Sequence, residues 1–299
     1  MKTRRDFLKT TLGSLLLTDA ASLFATETRS STDAIPLFGS ETLSRASWKI
    51  GICDWDVRAT GRPDAFAVSK ELGFEGVQVT YQPDGPDSLS DITNRTKFLE
   101  ATKESGVSIA SLCLGLLNER PLATTPEAVG WVEDCIDTMV AMDIKQVLVP
   151  FFGNADMTEH KEHQPLVIEK FKRLAPFAEK NGKILAVESY LSAEDLMKLI
   201  DDIGSDAIKV YYDVRNSSNK NYDIFREIAL LGKHKLISQI HFKEDSHRLG
   251  EGDINFSNVC ETLEKTGYDD WVVVESSITD DWRQSQIANA QFVKKLIGR

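Results

Sequence analysis

The chain has 299 residues, 41% of them hydrophobic and 27% charged, which allows one sizeable core and excludes general disorder. Its formal net charge is −11. In the first 30 residues five basic side chains (Lys2, Arg4, Arg5, Lys9, Arg29) outnumber three acidic ones (Asp6, Asp19, Glu27), so the remainder is more acidic still. A surface of that sign repels phosphate backbones and anionic lipid; it excludes nucleic acid as a partner and favours small neutral substrates.

In chain order, the first feature is Thr3-Arg4-Arg5-Asp6-Phe7-Leu8-Lys9, which resembles the twin-arginine export signature. The apolar run behind it, Thr10 to Phe24, is interrupted by Asp19 and is too short and too polar to span a bilayer stably. Residues 1–30 are therefore expected to be an export signal and flexible leader, with the twin-arginine export machinery as a partner and a periplasmic or exported location. Leu23-Phe24-Ala25 is an imperfect cleavage site, and a retained leader would act as a membrane tether. Residues 26–44 are polar and read as a flexible connection.

From Trp48 onward, short apolar runs alternate with amphipathic stretches. The strand-like runs are Lys49–Cys53, Gly76–Thr80, Ser108–Leu112, Gln146–Pro150, Ile184–Glu188, Ile208–Asp213, Ser238–Phe242 and Trp271–Glu275. Thr125-Pro126-Glu127 supplies an N-cap, an N1 proline and a first-turn acid ahead of Ala128–Met142. Ser192-Ala193-Glu194-Asp195 reads as a capping box. Gly73, Gly106, Gly182, Gly204, Gly232 and Gly267 fall where left-handed helix caps are expected. Eight β/α units in one uninterrupted stretch specify α/β architecture, a (β/α)8 TIM barrel occupying residues 45–299 as a single domain. A doubly wound open sheet is the competing topology, but the first strand runs into Asp54-Trp55-Asp56 rather than a glycine-rich phosphate turn. Cys53, Cys113, Cys135 and Cys260 are dispersed without CxxC spacing and read as buried thiols acting as small hydrophobes.

The chemistry lies in what ends the last four strands. Strand-like runs ending in Val187, Tyr212, Ile240 and Val274 deliver Glu188, Asp213, His241 and Glu275 in turn, with about one β/α unit between successive residues. Strands 5 to 8 would bring all four to the C-terminal mouth, where barrel active sites lie. Three carboxylates converging on an apolar strand end repel one another unless a cation sits among them. Three oxygens and one imidazole nitrogen suit one hard divalent ion, Mn²⁺ or Mg²⁺ first, then Co²⁺, Fe²⁺ or Zn²⁺.

The chain resembles the sugar phosphate isomerase/epimerase family of xylose isomerase-like TIM barrels, a group that includes ketose 3-epimerases and hydroxypyruvate isomerase. The resemblance covers nearly everything after residue 45. It rests on Gly73-Phe74-Glu75-Gly76-Val77-Gln78, Glu188, Tyr212-Asp213, His241-Phe242-Lys243-Glu244, Leu249-Gly250-Glu251-Gly252-Asp253 and Val274-Glu275. It implies that Glu188, Asp213, His241 and Glu275 bind the metal, that Glu188 and Glu275 double as catalytic acid and base, and that Arg248 contacts substrate. Two departures stand out. Ketose epimerases carry Asp-x-x-His after strand 6, whereas this chain reads Asp213-Val214-Arg215-Asn216, which puts Asn216 in the histidine's place and adds the cation Arg215. Ser189-Tyr190 follows the strand-5 glutamate where asparagine is commoner.

The implied activity is metal-dependent isomerisation or epimerisation of a carbohydrate through an enediolate; an exported location favours an unphosphorylated keto-sugar. The same ligands would serve a lyase or hydratase acting on a 3-keto-glycoside, and a non-catalytic sugar-binding barrel is a third reading. Endonuclease IV-type barrels share the fold but hold three zinc ions with many more histidines; this chain has five, and only His241 lies on a strand. Trp55, Tyr81 and Phe152 follow strands 1, 2 and 4 and are candidates to stack on a sugar ring, equally placed for core packing. Asn118, Glu119 and Arg120 follow strand 3 and read chiefly as surface. Lys243 and Glu244 are candidate outer partners of the metal ligands. His160 and His163 read as solvated residues at a helix start, with a metal-binding pair as the alternative. Barrels of this group often pair, so a homo-oligomer is a further expectation.

Overall fold

The computed structural model describes residues 47–276 and 280–299. The export leader expected in residues 1–30 lies outside them. Eight parallel strands close in sequence order: β1 (Lys49–Cys53), β2 (Gly76–Thr80), β3 (Ser108–Cys113), β4 (Gln146–Phe151), β5 (Ile184–Ser189), β6 (Ile208–Asp213), β7 (Ile237–Glu244) and β8 (Trp271–Ser276), with β8 pairing back onto β1. The intervening helices are α1 (Asp64–Leu72), α2 (Ile92–Ser105), α3 (Ala128–Ala141), α4 (His163–Lys180), α5 (Ala193–Ile203), α6 (Val214–Asn219), α7 (Ile224–Lys233), α8 (Phe256–Thr266) and α9 (Trp282–Leu296). This is the expected single (β/α)8 barrel. The strands are buried on both faces, as a parallel sheet sheathed by helices requires.

Two cores result from the strand alternation. The larger, between sheet and helices, is aliphatic and aromatic and includes Val77, Val149, Val187, Ile240 and Val274. The smaller lies inside the barrel and is built from Cys53, Ala110, Cys113, Leu148, Ala186, Tyr211 and Val273. Its small side chains leave room for polar groups at the upper end. The four cysteines are buried free thiols, as expected.

Local signals act largely as the sequence suggests. The Ser192 hydroxyl accepts from Asp195 N at 3.2 Å and starts α5, and Gly73, Gly106, Gly204 and Gly267 take left-handed C-caps. Two details differ. Thr125 does not cap α3 with its side chain; the helix begins at Ala128 with Glu127 in helical conformation before it. Gly232 is no cap but the next-to-last residue of α7, and the left-handed position falls to Lys235 (φ 57). A Cβ on Gly232 would overlap the Thr266 side chain, so this glycine exists for close approach of α7 and α8.

Candidate metal centre

Strand register assembles the site. Asp213 on β6 pairs with His241 on β7, and Lys243 on β7 pairs with Glu275 on β8. Glu188 stands beside Pro150 at the top of β5. One ligand atom from each of Glu188, Asp213, His241 and Glu275 lies within 4.8 Å of the others. His241 Nδ1 is 3.1 Å from Glu188 Oε1, 3.2 Å from Glu275 Oε2 and 3.8 Å from Asp213 Oδ2. The histidine is 1% exposed, Asp213 3% and Glu188 5%, so two of the three acids crowd the ring almost out of reach of water, while Glu275 keeps part of its side chain exposed.

The protonation pattern of the ring is set from below. His241 Nε2 lies 3.0 Å from the amide oxygen of Gln78, an acceptor only, so the ring nitrogen there carries the proton and donates it. The Gln78 amide nitrogen in turn donates to Ser111 Oγ at 3.0 Å, which holds the oxygen toward the histidine. Nδ1 is thereby left as the atom offered to the carboxylates. The Tyr211 ring tilts against His241 with centroids 4.4 Å apart and fixes its plane.

Asp213 divides its carboxylate between two tasks. Oδ1 accepts from Arg215 N and Asn216 N, each at 2.8 Å, and so caps α6. Oδ2 is buried and makes no hydrogen bond among the described residues, with the Lys243 ammonium 3.5 Å away. Lys243 Nζ donates to Glu275 Oε2 at 3.0 Å. Burial lifts the Glu188 carboxyl to about 7, with His241 opposing and Asp213 and Glu275 adding to the rise. Burial would raise Glu275 as well, but His241 and Lys243 outweigh it and hold that carboxyl well below its usual value.

These donors fit a divalent cation. Two buried carboxylates and the partly exposed Glu275 want positive charge, and one buried oxygen lacks a hydrogen bond among the described residues. The histidine turns Nδ1, the nitrogen a cation would take in place of a proton, to the same point. Carboxylate-rich coordination favours a hard ion.

The centre forms one end of a cavity of about 430 Å³ whose walls include Trp55, Asn118, Phe152, Tyr190, Asn216 and Lys243, with Glu188 and Glu275 at its base. Phe152 and Tyr190 meet edge to face at 4.7 Å, and Asn118 Oδ1 accepts from Phe152 N at 3.0 Å. Asn216 donates to Glu188 Oε1 over 3.5 Å.

Three expected substrate contacts lie elsewhere. Tyr81 is fully buried with its hydroxyl 2.9 Å from Ser90 Oγ, so it belongs to the core and presents no face to a ligand. Arg215 is buried against Glu244 and Asp253 and does not reach the cavity. Arg248 turns toward α9, where its Nε donates to Ser285 Oγ at 3.2 Å. Glu244 points to the outer face of β7; besides pairing with Arg215 it accepts from Ile254 N at 3.2 Å, so it orders the β7–α8 loop. Gly252 must be glycine because a Cβ there would overlap the Glu244 carboxylate. Gln78 and Tyr190 were not singled out for these roles. Gln78 is marked in the sequence as a polar side chain between Val77 and Val79 of β2; Tyr190 carries no signal beyond following Ser189.

The family model described as xylose isomerase-like TIM barrel matches residues 66–296. A 2-epi-5-epi-valiolone 7-phosphate 2-epimerase from Actinoplanes sp. is 25% identical over 170 residues, covering 56% of this chain; the chain spans 62% of that relative's length. Among solved structures, a 3-keto-D-glucoside 4-epimerase from E. coli superposes with a TM-score of 0.68 at 16% identity, over 83% of this chain and 99% of the other. A D-psicose 3-epimerase from Clostridium cellulolyticum H10 gives the same TM-score, identity and coverage. A barrel from Mycobacterium smegmatis in complex with magnesium gives 0.66 at 15% identity, over 84% and 98%. These structural likenesses establish the fold.

Proposed function

We propose that this chain, which belongs to the xylose isomerase-like TIM barrel family, is a divalent-metal-dependent isomerase or epimerase of an unphosphorylated keto-sugar. The observation that carries the reading is the set of Glu188, Asp213, His241 and Glu275 at the base of a cavity into which both glutamates face. Mn²⁺ or Mg²⁺ is the ion best matched to three oxygens and one nitrogen, with Co²⁺, Fe²⁺ or Zn²⁺ as alternatives. When bound, the cation supplies electrophilic stabilisation of the charge that develops as a proton leaves the carbon beside a carbonyl, giving an enediolate.

The chain's own residues do the rest. Glu188 on β5 and Glu275 on β8 stand three strands apart around an eight-stranded ring, so they address a bound carbon from different sides. Glu275, paired with Lys243, is held ionised and takes the proton at its carboxylate; Glu188, hydrogen-bonded by Asn216, returns one to the other face. Return to the same carbon inverts it, and return to the neighbouring carbon isomerises the sugar. Trp55, Phe152 and Tyr190 exclude water and offer aromatic faces to the sugar. Charge balance supports a neutral substrate: three carboxylates would be offset by a divalent ion and Lys243, the one basic side chain on the cavity wall among the described residues, which leaves no surplus cation there for a phosphate. The leader around Arg4 and Arg5 supports export and hence a periplasmic setting.

Release of an aglycone from a 3-keto-glycoside is the second reading. The three-aromatic wall favours it, because an aglycone needs a face to rest on. Proton NMR in D₂O with free ketoses and 3-keto-glycosides distinguishes the outcomes. Deuterium entering one carbon supports epimerase or isomerase chemistry, and a released aglycone supports the lyase. Chelation is expected to abolish exchange and Mn²⁺ or Mg²⁺ to restore it. No exchange on either panel refutes the enzyme reading. Single Glu188→Gln and Glu275→Gln substitutions are expected to lower kcat by about 10²–10⁴; full activity in the double variant refutes the acid/base assignment.

A further inference from the structure

We propose that His160, Glu162 and His163 form a second, separate metal site that takes a borderline transition-metal ion, Zn²⁺ first. The cluster sits on the connection between β4 and α4, apart from the strand ends that hold the barrel centre. The local backbone builds it. His160 N donates to Asp156 O at 2.8 Å and His163 N to His160 O at 2.9 Å, so the chain turns tightly just ahead of α4. That turn brings the two imidazoles into a stack with centroids 5.0 Å apart and planes 25° from parallel. His160 Nδ1 lies 3.4 Å from Glu162 Oε1, and one ligand atom from each of the three residues lies within 4.8 Å of the others.

A second observation points to a ligand. His163 is only 8% exposed, and its Nδ1 is buried with no hydrogen-bond partner among the described residues. Buried ring nitrogens are nearly always satisfied, and here the unsatisfied one belongs to the ring stacked on His160. A coordinated cation satisfies it and separates two imidazoles from one carboxylate at the same time. A tetrahedral ion holds its ligand atoms about 3.4 Å apart. His160 and Glu162 are surface side chains and close that gap by rotation.

Donor chemistry separates this site from the barrel centre. Two nitrogens and one oxygen with an open position suit Zn²⁺ and its neighbours and are poor ligands for Mg²⁺. An ion here ties the first turn of α4 to the connection that begins at Phe152, a residue of the cavity wall. This inference does not depend on the sugar reading.

Calorimetric titration of the full chain with Zn²⁺ tests it, using wild type, His160→Gln and Asp213→Asn. Wild type is expected to take up one equivalent more than His160→Gln, whose metal-free melting curve stays unchanged because His160 is on the surface. Asp213→Asn is expected to keep the His160-dependent equivalent. Residual binding at the site in Glu162→Gln should weaken by at least ~10-fold. Equal stoichiometry in wild type and His160→Gln overturns the proposal. A wild type that binds a single equivalent, lost in His160→Gln and retained in Asp213→Asn, supports this site and refutes metal binding in the barrel.

Discussion

Gln78 offers the sharpest test of how the barrel centre is organised. Its amide oxygen receives the Nε2 proton of His241 at 3.0 Å, and its amide nitrogen is anchored on Ser111. Gln78 is fully buried, so water cannot replace it. Gln78→Leu keeps the volume and removes the oxygen acceptor, leaving the buried N–H only the weak acceptor Cys53 Sγ at 3.6 Å and the ring less firmly oriented. Loss of such an outer partner typically costs 10–100-fold in metal affinity, or about 1.4–2.8 kcal/mol. Gln78→Glu keeps an acceptor in place and makes the imidazole a stronger donor, so its affinity should equal or exceed that of wild type. Isothermal titration with Mn²⁺ on the three proteins measures both arms, with the metal-free melt as control for folding. A Gln78→Leu protein that melts normally and binds Mn²⁺ within about twofold of wild type would refute the argument that this bond presents Nδ1 to the metal.

Three further outcomes are expected. Lys243→Met leaves the neighbouring carboxyl groups of Glu275 and Asp213 without their ammonium partner, and breaking such a largely buried pair costs about 3 kcal/mol. Urea denaturation should show that loss without metal and a smaller one with Mn²⁺; equal stability without metal contradicts the ion-pair reading. Gly232→Ala drives a methyl into Thr266 and should destabilise by about 1–3 kcal/mol, with Thr266→Ala recovering much of it in a double-mutant cycle. Arg299 hydrogen-bonds Glu75 and holds its carboxyl below the ordinary value, against opposition from burial. A depressed acid stabilises the fold above its unfolded pKa of about 4.3 and loses that contribution as pH falls through the folded value. Arg299→Ala should therefore flatten the acid limb of a Tm-against-pH curve, and an unchanged limb would count against the pair.

The sequence alone determined the barrel and the four side chains that meet at its mouth. Short apolar runs and capped amphipathic stretches are local signals, and an ionisable residue ending a buried strand is conspicuous wherever the strand lies. Glu188, Asp213, His241 and Glu275 were legible for that reason. Ser192 was legible as a cap because its partner, Asp195, is three residues away. Closure of the barrel decided the rest. Gln78 reaches a histidine 163 positions on only because β2 and β7 face each other across the interior. Alternation along β7 sends Lys243 to the cavity and its neighbour Glu244 outward to Arg215, a division invisible while the two were read together. Tyr81 and Arg215 follow strand ends as substrate contacts do, yet loop packing buries both away from the cavity. Gly232 looked like a cap and is a point of contact between helices. Short-range pattern places residues on elements; which face meets which is fixed only when the eight strands join in register.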